Sequence, residues 1–485
     1  MKFLLIRPGN REKIYKYFVG SPKSHPPLGL LYLGAALEHD GHKVEVFDYY
    51  AEDISREQLG NSLKSSDAVG MMVYTNDYKP SVVISRIIKE LIPDIPLIIG
   101  GPHCTFLQKQ TLLKAPDADI CVAGEGEEVI IDIVRFLQGR KKLSDIHGIY
   151  YRDKNSIKSG KPLRVIDNLD NVLFPARHLV EKYDYGTFAF GYNIKKKVTS
   201  MITSKGCPFH CRFCSRYSNL IKDWSFRKRS AENVVNEIQE INGKYRSVLV
   251  VDDNFLADKK RAHKIFDLLL NYDINIDFFI EGARVDTADK ELYLKMKKAG
   301  IKLIFYGIES GNQDVLNFYN KKITLQQIQK SIKLARKMNF FIAAGLIIGA
   351  PIETKRHVEN TINFACSLPI DLVNFAPLAY LRGSQLWDEA VKDKKILPNV
   401  DAVLADSRLD LGSFTEEELI DFTIEAYNTF YFRPNYLVGQ IYKAFLRKDY
   451  SLLINGLKYF ILFRKIFKEG KEIIKRKKIS PEFSF

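Results

Sequence analysis

Three cysteines lie within eight residues of one another in the stretch KGCPFHCRFCSRYS, at Cys207, Cys211 and Cys214. The remaining cysteines of the chain are scattered singly, at Cys104, Cys121 and Cys366. A tetrahedral zinc site needs four ligands, and no fourth Cys or His follows at a matching spacing. Three thiolates on an iron–sulfur cluster would leave one iron open to a small molecule. We therefore predict a cluster, with a zinc knuckle completed from elsewhere, free thiols or a disulfide as the alternatives.

Length and composition favour a globular protein of several domains. The chain has 485 residues and is 46% hydrophobic, which suffices for two or three buried cores. No apolar run approaches the roughly 20 residues that cross a bilayer. The first residues, MKFLLIRPGN, turn polar too soon for a signal peptide, so we expect a cytoplasmic protein with reduced thiols.

Positive charge is concentrated at the end of the chain. The formal net charge is +15, and residues 430–485 hold 13 Lys and Arg against 4 Asp and Glu. Nucleic acid, an anionic membrane surface or an acidic redox partner would each be attracted by such a patch, and a solvated basic face without a partner is the alternative.

Residues 1–150 are predicted to form a doubly wound, Rossmann-like parallel sheet. Apolar strands such as KFLLIRP, DAVGMMVYT and PLIIGGPH alternate with helical segments. Ligands of such folds bind at the carboxyl ends of the strands. The residues predicted there are Tyr74, Thr75, Asn76, Gly100, Gly101, Pro102, His103, Gly124, Glu125, Gly126 and Glu127. No G-x-G-x-x-G follows the first strand, which argues against a dinucleotide.

The rest of the chain is divided into three parts. Residues 151–195 are expected to be a linker that includes a polar hairpin, YRDKNSIKSGKPLR. Six strand–helix repeats over 196–380 are too few for a closed eight-fold barrel and predict a partial (β/α)6 barrel. The three cysteines follow its first strand, where barrel active sites are found. Residues 381–485 are predicted to be mostly helical and basic.

The spacing C-x3-C-x2-C, with Phe213 directly before the third cysteine, resembles the signature of the radical S-adenosylmethionine (SAM) superfamily. The preceding domain, with PPLGLLYLGAALEHDGHKVEVFD, GGPH and GEGE, is similar to the cobalamin (B12)-binding domain of one class of that superfamily. This resemblance implies a 4Fe-4S cluster on Cys207, Cys211 and Cys214 that binds S-adenosylmethionine and cleaves it reductively to a 5′-deoxyadenosyl radical. It also implies a low-potential electron donor, a flavodoxin or ferredoxin.

The resemblance further implies which barrel residues bind S-adenosylmethionine. They are Phe213, Glu281, Arg284, Glu309, Ser310, Gly345 and Gly349. For the charged members, a salt bridge inside the barrel is the alternative. The sequence departs from the family in two places. Asp252, Asp253 and Asn254 replace the usual Gly-Gly-Glu, and the Asp-x-His-x-x-Gly motif is missing, so any cobalamin is expected to lack a histidine on cobalt.

The resemblance leaves several functions open. We expect a cobalamin-dependent methyltransferase acting on an unactivated carbon of a small-molecule or lipid-like substrate. The alternative is a radical cyclase or C–C bond-forming enzyme, since the architecture resembles the branch with hopanoid-modifying enzymes and the anaerobic magnesium-protoporphyrin cyclase. A sensor without turnover, or an RNA-modifying methylthiolase, is less favoured because no RNA-binding domain or second cysteine cluster is visible. Nucleic acid is therefore not expected.

The segment LKYFILFRKIF, within residues 451–485, combines aromatic and basic side chains. We predict that it contacts an apolar substrate or the surface of an anionic membrane. Ordinary packing of a helix on the end of the barrel would give the same pattern and is the alternative.

Overall fold

A computed structural model describes residues 1–9, 25–186, 194, 197–221, 224–447 and 450. This part of the chain forms two α/β domains and a C-terminal extension, as the sequence predicts. The strands of the first domain are β1 (Lys2–Arg7), β2 (Lys43–Asp48), β3 (Ala68–Met72), β4 (Leu97–Gly100), β5 (Ile120–Val122), β6 (Ile149–Asp153) and β7 (Ser156–Ser159). Its helices are α1 (Leu28–His39), α2 (Arg56–Lys64), α3 (Tyr78–Leu91), α4 (Pro102–Leu107), α5 (Lys109–Lys114) and α6 (Val129–Leu137).

The sheet of the first domain has the order β2-β1-β3-β4-β5-β6-β7, and its first five strands are parallel. One face packs on α1 and α6, and the other packs on α2, α3 and α5. The chain reverses its winding direction between β1 and β3. In doubly wound sheets a ligand binds in the crevice outside the strand ends at this point.

The polar hairpin predicted in the linker is present, but it belongs to the sheet. Strands β6 and β7 pair antiparallel, and β6 extends the sheet beside β5. The reason is that β6 buries Ile149 and Tyr151 against the domain, whereas β7 is mostly exposed. The sheet therefore continues past residue 150 to Ser159.

The second domain is the predicted open barrel of six parallel strands. Its strand order β15-β14-β13-β12-β11-β8 follows the chain without a break, and β8 and β15 are the two edges. Its strands, with the short pair β9–β10, are β8 (Val198–Met201), β9 (Ser204–Lys205), β10 (Arg227–Lys228), β11 (Ser247–Val250), β12 (Asp277–Ala283), β13 (Ile301–Glu309), β14 (Phe341–Ile348) and β15 (Leu372–Pro377). Its helices are α7 (Ala231–Ile241), α8 (Lys259–Leu269), α9 (Lys290–Lys298), α10 (Gln313–Phe318), α11 (Leu325–Lys337) and α12 (Lys355–Ser367).

The two domains share buried apolar contacts. Alternate residues of the barrel strands face outward to the helices, as Ile280 and Ile304 do. The residues between them, among them Leu249, Phe279 and Leu303, belong to one buried cluster with α1 and α6 of the first domain. The sheet edges of both domains are therefore held in a fixed relation to each other.

The C-terminal extension is mostly helical, as predicted. It contains β16 (Ala379–Leu381), α13 (Gln385–Lys392), β17 (Ala402–Leu404), α14 (Glu416–Tyr431) and α15 (Pro434–Arg447). The antiparallel pair β16–β17 was not predicted. Helix α14 covers the open edge strand β15, where the hydroxyls of Tyr427 and Tyr431 accept hydrogen bonds from the backbone N–H groups of Phe375 (3.2 Å) and Val373 (2.9 Å). No helix in the described ranges is long and apolar enough to cross a membrane.

Candidate functional site

The three cysteines lie between β9 and β10, which pair at the base of this part of the chain, the cysteine loop. Lys205 pairs with Arg227 across this base. Gly206 opens the loop with φ +83°, and a Cβ there would come within 2.9 Å of the carbonyl oxygen of Ser225. Only glycine meets both conditions without strain.

Two acids at the end of β11 hold the start of this loop. The buried carboxylate of Asp252 accepts hydrogen bonds from the backbone N–H and hydroxyl of Thr203, both at 2.6 Å, and from the hydroxyl of Ser204 at 2.5 Å. Asp253 accepts from the N–H of Gly206 at 3.0 Å. These acids stand where the family has Gly-Gly-Glu, and in this chain their carboxylates support the cysteine loop.

The cysteine side chains differ in exposure. Cys211 is buried, and Cys207 and Cys214 are half-buried. Burial raises the pKa of the Cys214 thiol to about 12, and the neighbouring Cys211 adds to this shift. The pKa of Cys207 is also raised by burial. The thiols of Cys207 and Cys214 are therefore protonated at neutral pH without metal, and binding iron at these two residues releases their protons.

The arrangement of the cysteines can be compared with the ligand set of a single metal ion. Within the ranges that the structure describes, no three His, Cys, Asp or Glu side chains converge closely enough to hold one metal ion. A structural zinc ion needs its ligands around one centre, whereas each cysteine of a cluster binds a different iron. The three thiols are close enough to influence one another electrostatically without sharing a centre, which fits a cluster.

Cationic groups surround the most buried thiol. The Nη1 atom of Arg284 lies 3.9 Å from Sγ of Cys211, and its guanidinium stacks 3.7 Å from the ring centroid of Phe209. Asp286 pairs with the same guanidinium at 3.0 Å. Positive charge beside a thiolate stabilises it, so this arrangement suits an anionic cluster.

Lys321 links Arg284 to the predicted residue Glu309. Its carbonyl oxygen accepts from Nη2 of Arg284 at 2.6 Å, and its Nζ pairs with Oε1 of Glu309 at 2.6 Å. Burial alone would lower the pKa of Lys321, but Glu309 raises it above the usual value. The side chain of Glu309 therefore forms the internal salt bridge that the sequence left as the alternative. Sequence reasoning missed Lys321, because nothing local marks it as the partner.

Two further predicted residues, Phe213 and Ser310, both pack against other parts of the barrel domain. The ring of Phe213 packs edge-on against Tyr319, with 5.0 Å between centroids. Ser310 is fully buried, and its hydroxyl lies 3.2 Å from that of Thr361 and accepts from the N–H of Asn312. The hydroxyl of Ser310 is thus used inside the protein, and a role in binding S-adenosylmethionine stays a prediction.

Gly345 and Gly349 lie in β14 and at its carboxyl end. A Cβ at Gly345 would come within 3.2 Å of the ring of Phe305, and one at Gly349, where φ is +107°, would come within 2.4 Å of Leu419. The N–H of Gly349 donates to the buried Glu353 at 2.6 Å. Burial raises the pKa of Glu353 to about 7. Glu353 was not predicted, although its position four residues after Gly349 is a local signal.

Glu281 is a predicted S-adenosylmethionine-binding residue whose carboxylate has no partner among the described residues. It lies two residues after Phe279 on β12 and therefore faces the inside of the barrel. Among the described residues its carboxylate has no hydrogen-bond or ion-pair partner, and burial raises its pKa to about 7. Such an acid inside a barrel is a candidate for binding a polar or cationic ligand.

The raised pKa of Glu281 should make the free energy of unfolding depend on pH. A carboxyl with a raised pKa is neutral in the folded protein at low pH, and it must be buried as an anion once the pH exceeds about 7. Glu281→Gln should therefore raise the free energy of unfolding of the cofactor-free protein by about 1–2 kcal/mol at pH 8 and hardly at all at pH 4.5. Urea unfolding at both pH values measures this, and an equal effect at the two would contradict it.

The loops after β3 and β4 of the first domain come together. The hydroxyl of Thr75 lies 3.3 Å from Nδ1 of His103, and His103 stacks on Tyr78 with 4.4 Å between centroids. Burial lowers the pKa of His103 to about 4, so its ring is neutral. Nε2 of His103 and the hydroxyl of Tyr78 are buried, and neither has a hydrogen-bond partner among the described residues. A polar ligand such as cobalamin, which carries many amides, fits groups of this kind.

The other predicted residues of these loops shape the edge of the sheet. Tyr74 is 45% exposed, and Asn76 follows in a short 3-10 turn. Gly100 ends β4 against Val122. Gly101 has φ +115° and caps α4, whose first residue is Pro102. Contact of these residues with cobalamin stays a prediction.

The segment Gly124 to Glu127 joins the two domains through ion pairs. Glu125 binds Arg227 at 2.8 Å and Lys205 at 2.9 Å, and Glu127 binds Lys205 at 2.8 Å. Gly126 packs against Leu33. Both carboxylates thus reach the base of the cysteine loop, so only the backbone of this segment is free to contact a cofactor. The sequence did not predict this, since the partners lie about 80 to 100 residues away.

A second contact joins the cysteine loop to the first domain. Phe106 of α4 stacks on Tyr217 with 4.8 Å between centroids, and Tyr217 packs against Trp224 at 4.7 Å. The ion pairs at one end of the loop and the aromatic stack at the other hold it against the strand ends of the first domain. The predicted cofactor sites of the two domains therefore adjoin.

Comparison with known proteins gives consistent matches. The family model of the radical SAM superfamily matches residues 201–365, and that of the B12 binding domain matches residues 18–134. An uncharacterised methyltransferase of Pyrococcus horikoshii is 31% identical over 456 residues, covering 91% of this chain and 95% of that protein. The anaerobic magnesium-protoporphyrin IX monomethyl ester cyclase of Cereibacter sphaeroides is 26% identical over 455 residues, covering 87% and 72%.

A solved structure has the same fold. The cobalamin-dependent S-adenosylmethionine radical enzyme OxsB with aqua-cobalamin bound aligns with a TM-score of 0.71 at 19% identity, covering 95% of this chain and 72% of that one. The likeness extends over the doubly wound domain and the open barrel in the same order.

Proposed function

This chain belongs to the radical SAM superfamily and carries a B12 binding domain, and from this membership we propose that it methylates an unactivated carbon of an apolar small molecule or lipid-like substrate. Its cofactors are a 4Fe-4S cluster, S-adenosylmethionine and cobalamin. When bound, they supply an electron for cleavage of a sulfonium C–S bond and a carrier for the methyl group. The observation that carries the proposal is the double contact that holds the cysteine loop against the B12 binding domain.

Within the barrel, each polar residue has a distinct proposed role. Cys207, Cys211 and Cys214 hold the cluster, and Arg284 balances its negative charge beside Cys211. Glu281 is the group best placed to bind a polar part of S-adenosylmethionine, because its carboxylate faces the inside of the barrel without a partner among the described residues. Binding there would replace the hydration that Glu281 loses on folding.

Cobalamin is proposed to lie between the domains at the strand ends of the first sheet. Tyr74 to Asn76, Gly100 to His103 and the backbone of Gly124 to Glu127 would border it. His103 lies beside Thr75 and Tyr78 at this edge, and we propose that it contacts cobalamin without binding cobalt, because the chain lacks the Asp-x-His-x-x-Gly motif.

Two products of S-adenosylmethionine test the proposal. Anaerobically reconstituted protein, given a reductant and cell extract as the source of substrate, should form both 5′-deoxyadenosine and S-adenosylhomocysteine. Methyl transfer needs both, whereas a cyclase yields 5′-deoxyadenosine alone. Cyclisation is the second candidate because of the similarity to the magnesium-protoporphyrin cyclase. A sensor would form neither product.

The enzyme acts on a small molecule and needs a reductant. A flavodoxin or ferredoxin is the proposed donor. We propose a cytoplasmic location, where the enzyme's free thiols would stay reduced. Nucleic acid is not a proposed partner.

Peripheral contact with an anionic membrane is supported by an exposed face of α15. This apolar face consists of Leu437, Val438, Ile441, Tyr442 and Phe445, which are 43% to 69% exposed. The spacing places them on one side of the helix, and the chain around them is basic. The segment predicted for this role, residues 451–485, lies outside the described residues. The apolar face of α15 extends the same prediction to a part of the chain that the structure describes.

Charge placed on this apolar face should weaken membrane binding. Ile441→Asp should reduce sedimentation of the full chain with phosphatidylserine-containing liposomes by about tenfold, because an apolar contact worth roughly 1.5–3 kcal/mol is lost. Val83→Asp on α3 is a matched control, since Val83 is 59% exposed and Ile441 56%. Equal losses in both variants, or no binding by the unaltered protein at low salt, would contradict membrane contact.

A further inference from the structure

The cluster proposed on the cysteine loop must receive its electron through the protein cover between it and solvent. Pro208, Phe209 and His210 separate Cys207 from the buried Cys211. Pro208 and His210 are exposed, although the thiols on either side are half-buried or buried. At this point, exposed residues directly adjoin the proposed cluster ligands, so a ligand lies close to the protein surface.

The same part of the surface is positively charged. Arg216 donates to the carbonyl oxygen of Phe209 at 2.8 Å and lies 2.7 Å from Nδ1 of His210. Lys322 is exposed next to it, and Asn320 donates to the carbonyl oxygen of His210 at 2.8 Å. Arg216 and Lys322 thus bring two positive charges to the surface beside the exposed His210.

These two cations differ from the other basic residues near the cysteines. Lys205, Arg212 and Arg227 each pair with a glutamate at 2.6 to 2.9 Å. Arg216 and Lys322 have no carboxylate partner in the part of the chain that the structure describes. No carboxylate there neutralises their charge, and the exposed Lys322 presents it at the surface, where it can attract an acidic partner.

We propose that the surface formed by Pro208, His210, Arg216 and Lys322, the basic ridge, docks an acidic low-potential electron-transfer protein of the flavodoxin or ferredoxin class. The inference rests on the proposed function, since it takes the cluster to be held by Cys207 and Cys211. The donor loses one electron to the cluster. The cluster passes this electron to S-adenosylmethionine, whose C–S bond then breaks. Transient redox encounters use small surfaces and depend on charge, which suits a ridge of this size.

Reversing a charge on the basic ridge and comparing two reductants tests whether an electron donor docks there. Lys322→Glu in the reconstituted full chain should slow flavodoxin-driven cleavage of S-adenosylmethionine by about tenfold at low salt, with flavodoxin reduced by its NADPH-dependent reductase. The deficit should shrink as ionic strength rises, because salt screens the attraction. Cleavage driven by dithionite, a small reductant that needs no docking, should be unchanged.

Lys333→Glu on the outer helix α11 is the matched control, because Lys333 is also exposed and the change in net charge is the same. Equal slowing by this control, equal slowing with dithionite, or an unaltered flavodoxin rate in Lys322→Glu would overturn the docking surface. Cleavage with dithionite but with neither flavodoxin nor ferredoxin would also overturn it while leaving the proposed function intact. Absence of cleavage with every reductant would overturn the proposed function and this inference with it.

Discussion

Replacing Cys207, Cys211 and Cys214 together with alanine should remove all of the roughly four irons that the reconstituted protein binds and abolish cleavage of S-adenosylmethionine. Each thiolate ligates a different iron, so no remaining side chain can substitute for the set. The loop itself should stay folded, because Asp252, Asp253 and the β9–β10 pair hold it without metal. Iron analysis and the visible absorption of the purified variant measure the loss.

Cys366→Ser is the matched control for this variant. Cys366 is half-buried and lies far from the cysteine loop in the sequence. Its sulfur accepts a hydrogen bond from Arg433 at 3.6 Å. Iron content should be unchanged in this control. Retention of iron by the triple variant, or one equivalent of zinc without visible absorption in the unaltered protein, would contradict the cluster assignment.

Arg284→Met should lower the rate of cleavage of S-adenosylmethionine by at least about a hundredfold. The guanidinium touches Cys211, stacks on Phe209 and binds the carbonyl of Lys321, so its loss removes charge from the site and leaves Asp286 unpaired. A hundredfold lower rate corresponds to about 2.7 kcal/mol less stabilisation of the transition state. Single-turnover formation of 5′-deoxyadenosine with dithionite gives the rate per cluster.

Arg336→Met provides the comparison, because Arg336 pairs with Asp371 at the opposite end of the barrel strands, where Lys443 is a second partner of that carboxylate. It should lower stability without changing the rate per cluster. If both variants lose activity in proportion to their loss of stability, Arg284 has only a structural role.

Sequence patterns predicted the features that depend on neighbours in the chain. Buried apolar runs located β1 to β5 and the six barrel strands, because a strand covered on both faces needs no distant partner to be recognised. The cysteines were found by their spacing for the same reason. The carboxyl ends of parallel strands then fixed which loops would meet.

Partners that are distant in the sequence could not be predicted. Lys205 appears as a loop lysine, and only the docking of the domains shows that it binds Glu125 and Glu127. Asp252 likewise resembles a ligand-binding acid until its three hydrogen bonds to Thr203 and Ser204 are seen. The sequence places the hairpin of β6 and β7 in a linker because β7 is polar and mostly exposed. The burial of Tyr151 on β6 becomes visible only in the structure.

Transfer of an isotopically labelled methyl group tests the account most directly. S-adenosylmethionine with a deuterated methyl group is added, with dithionite and cobalamin, to the reconstituted enzyme and an extract of a strain that lacks the gene. Our account predicts a labelled apolar product, with 5′-deoxyadenosine and S-adenosylhomocysteine formed in equal amounts. A product that lacks the label, with 5′-deoxyadenosine formed and S-adenosylhomocysteine absent, would contradict methyl transfer.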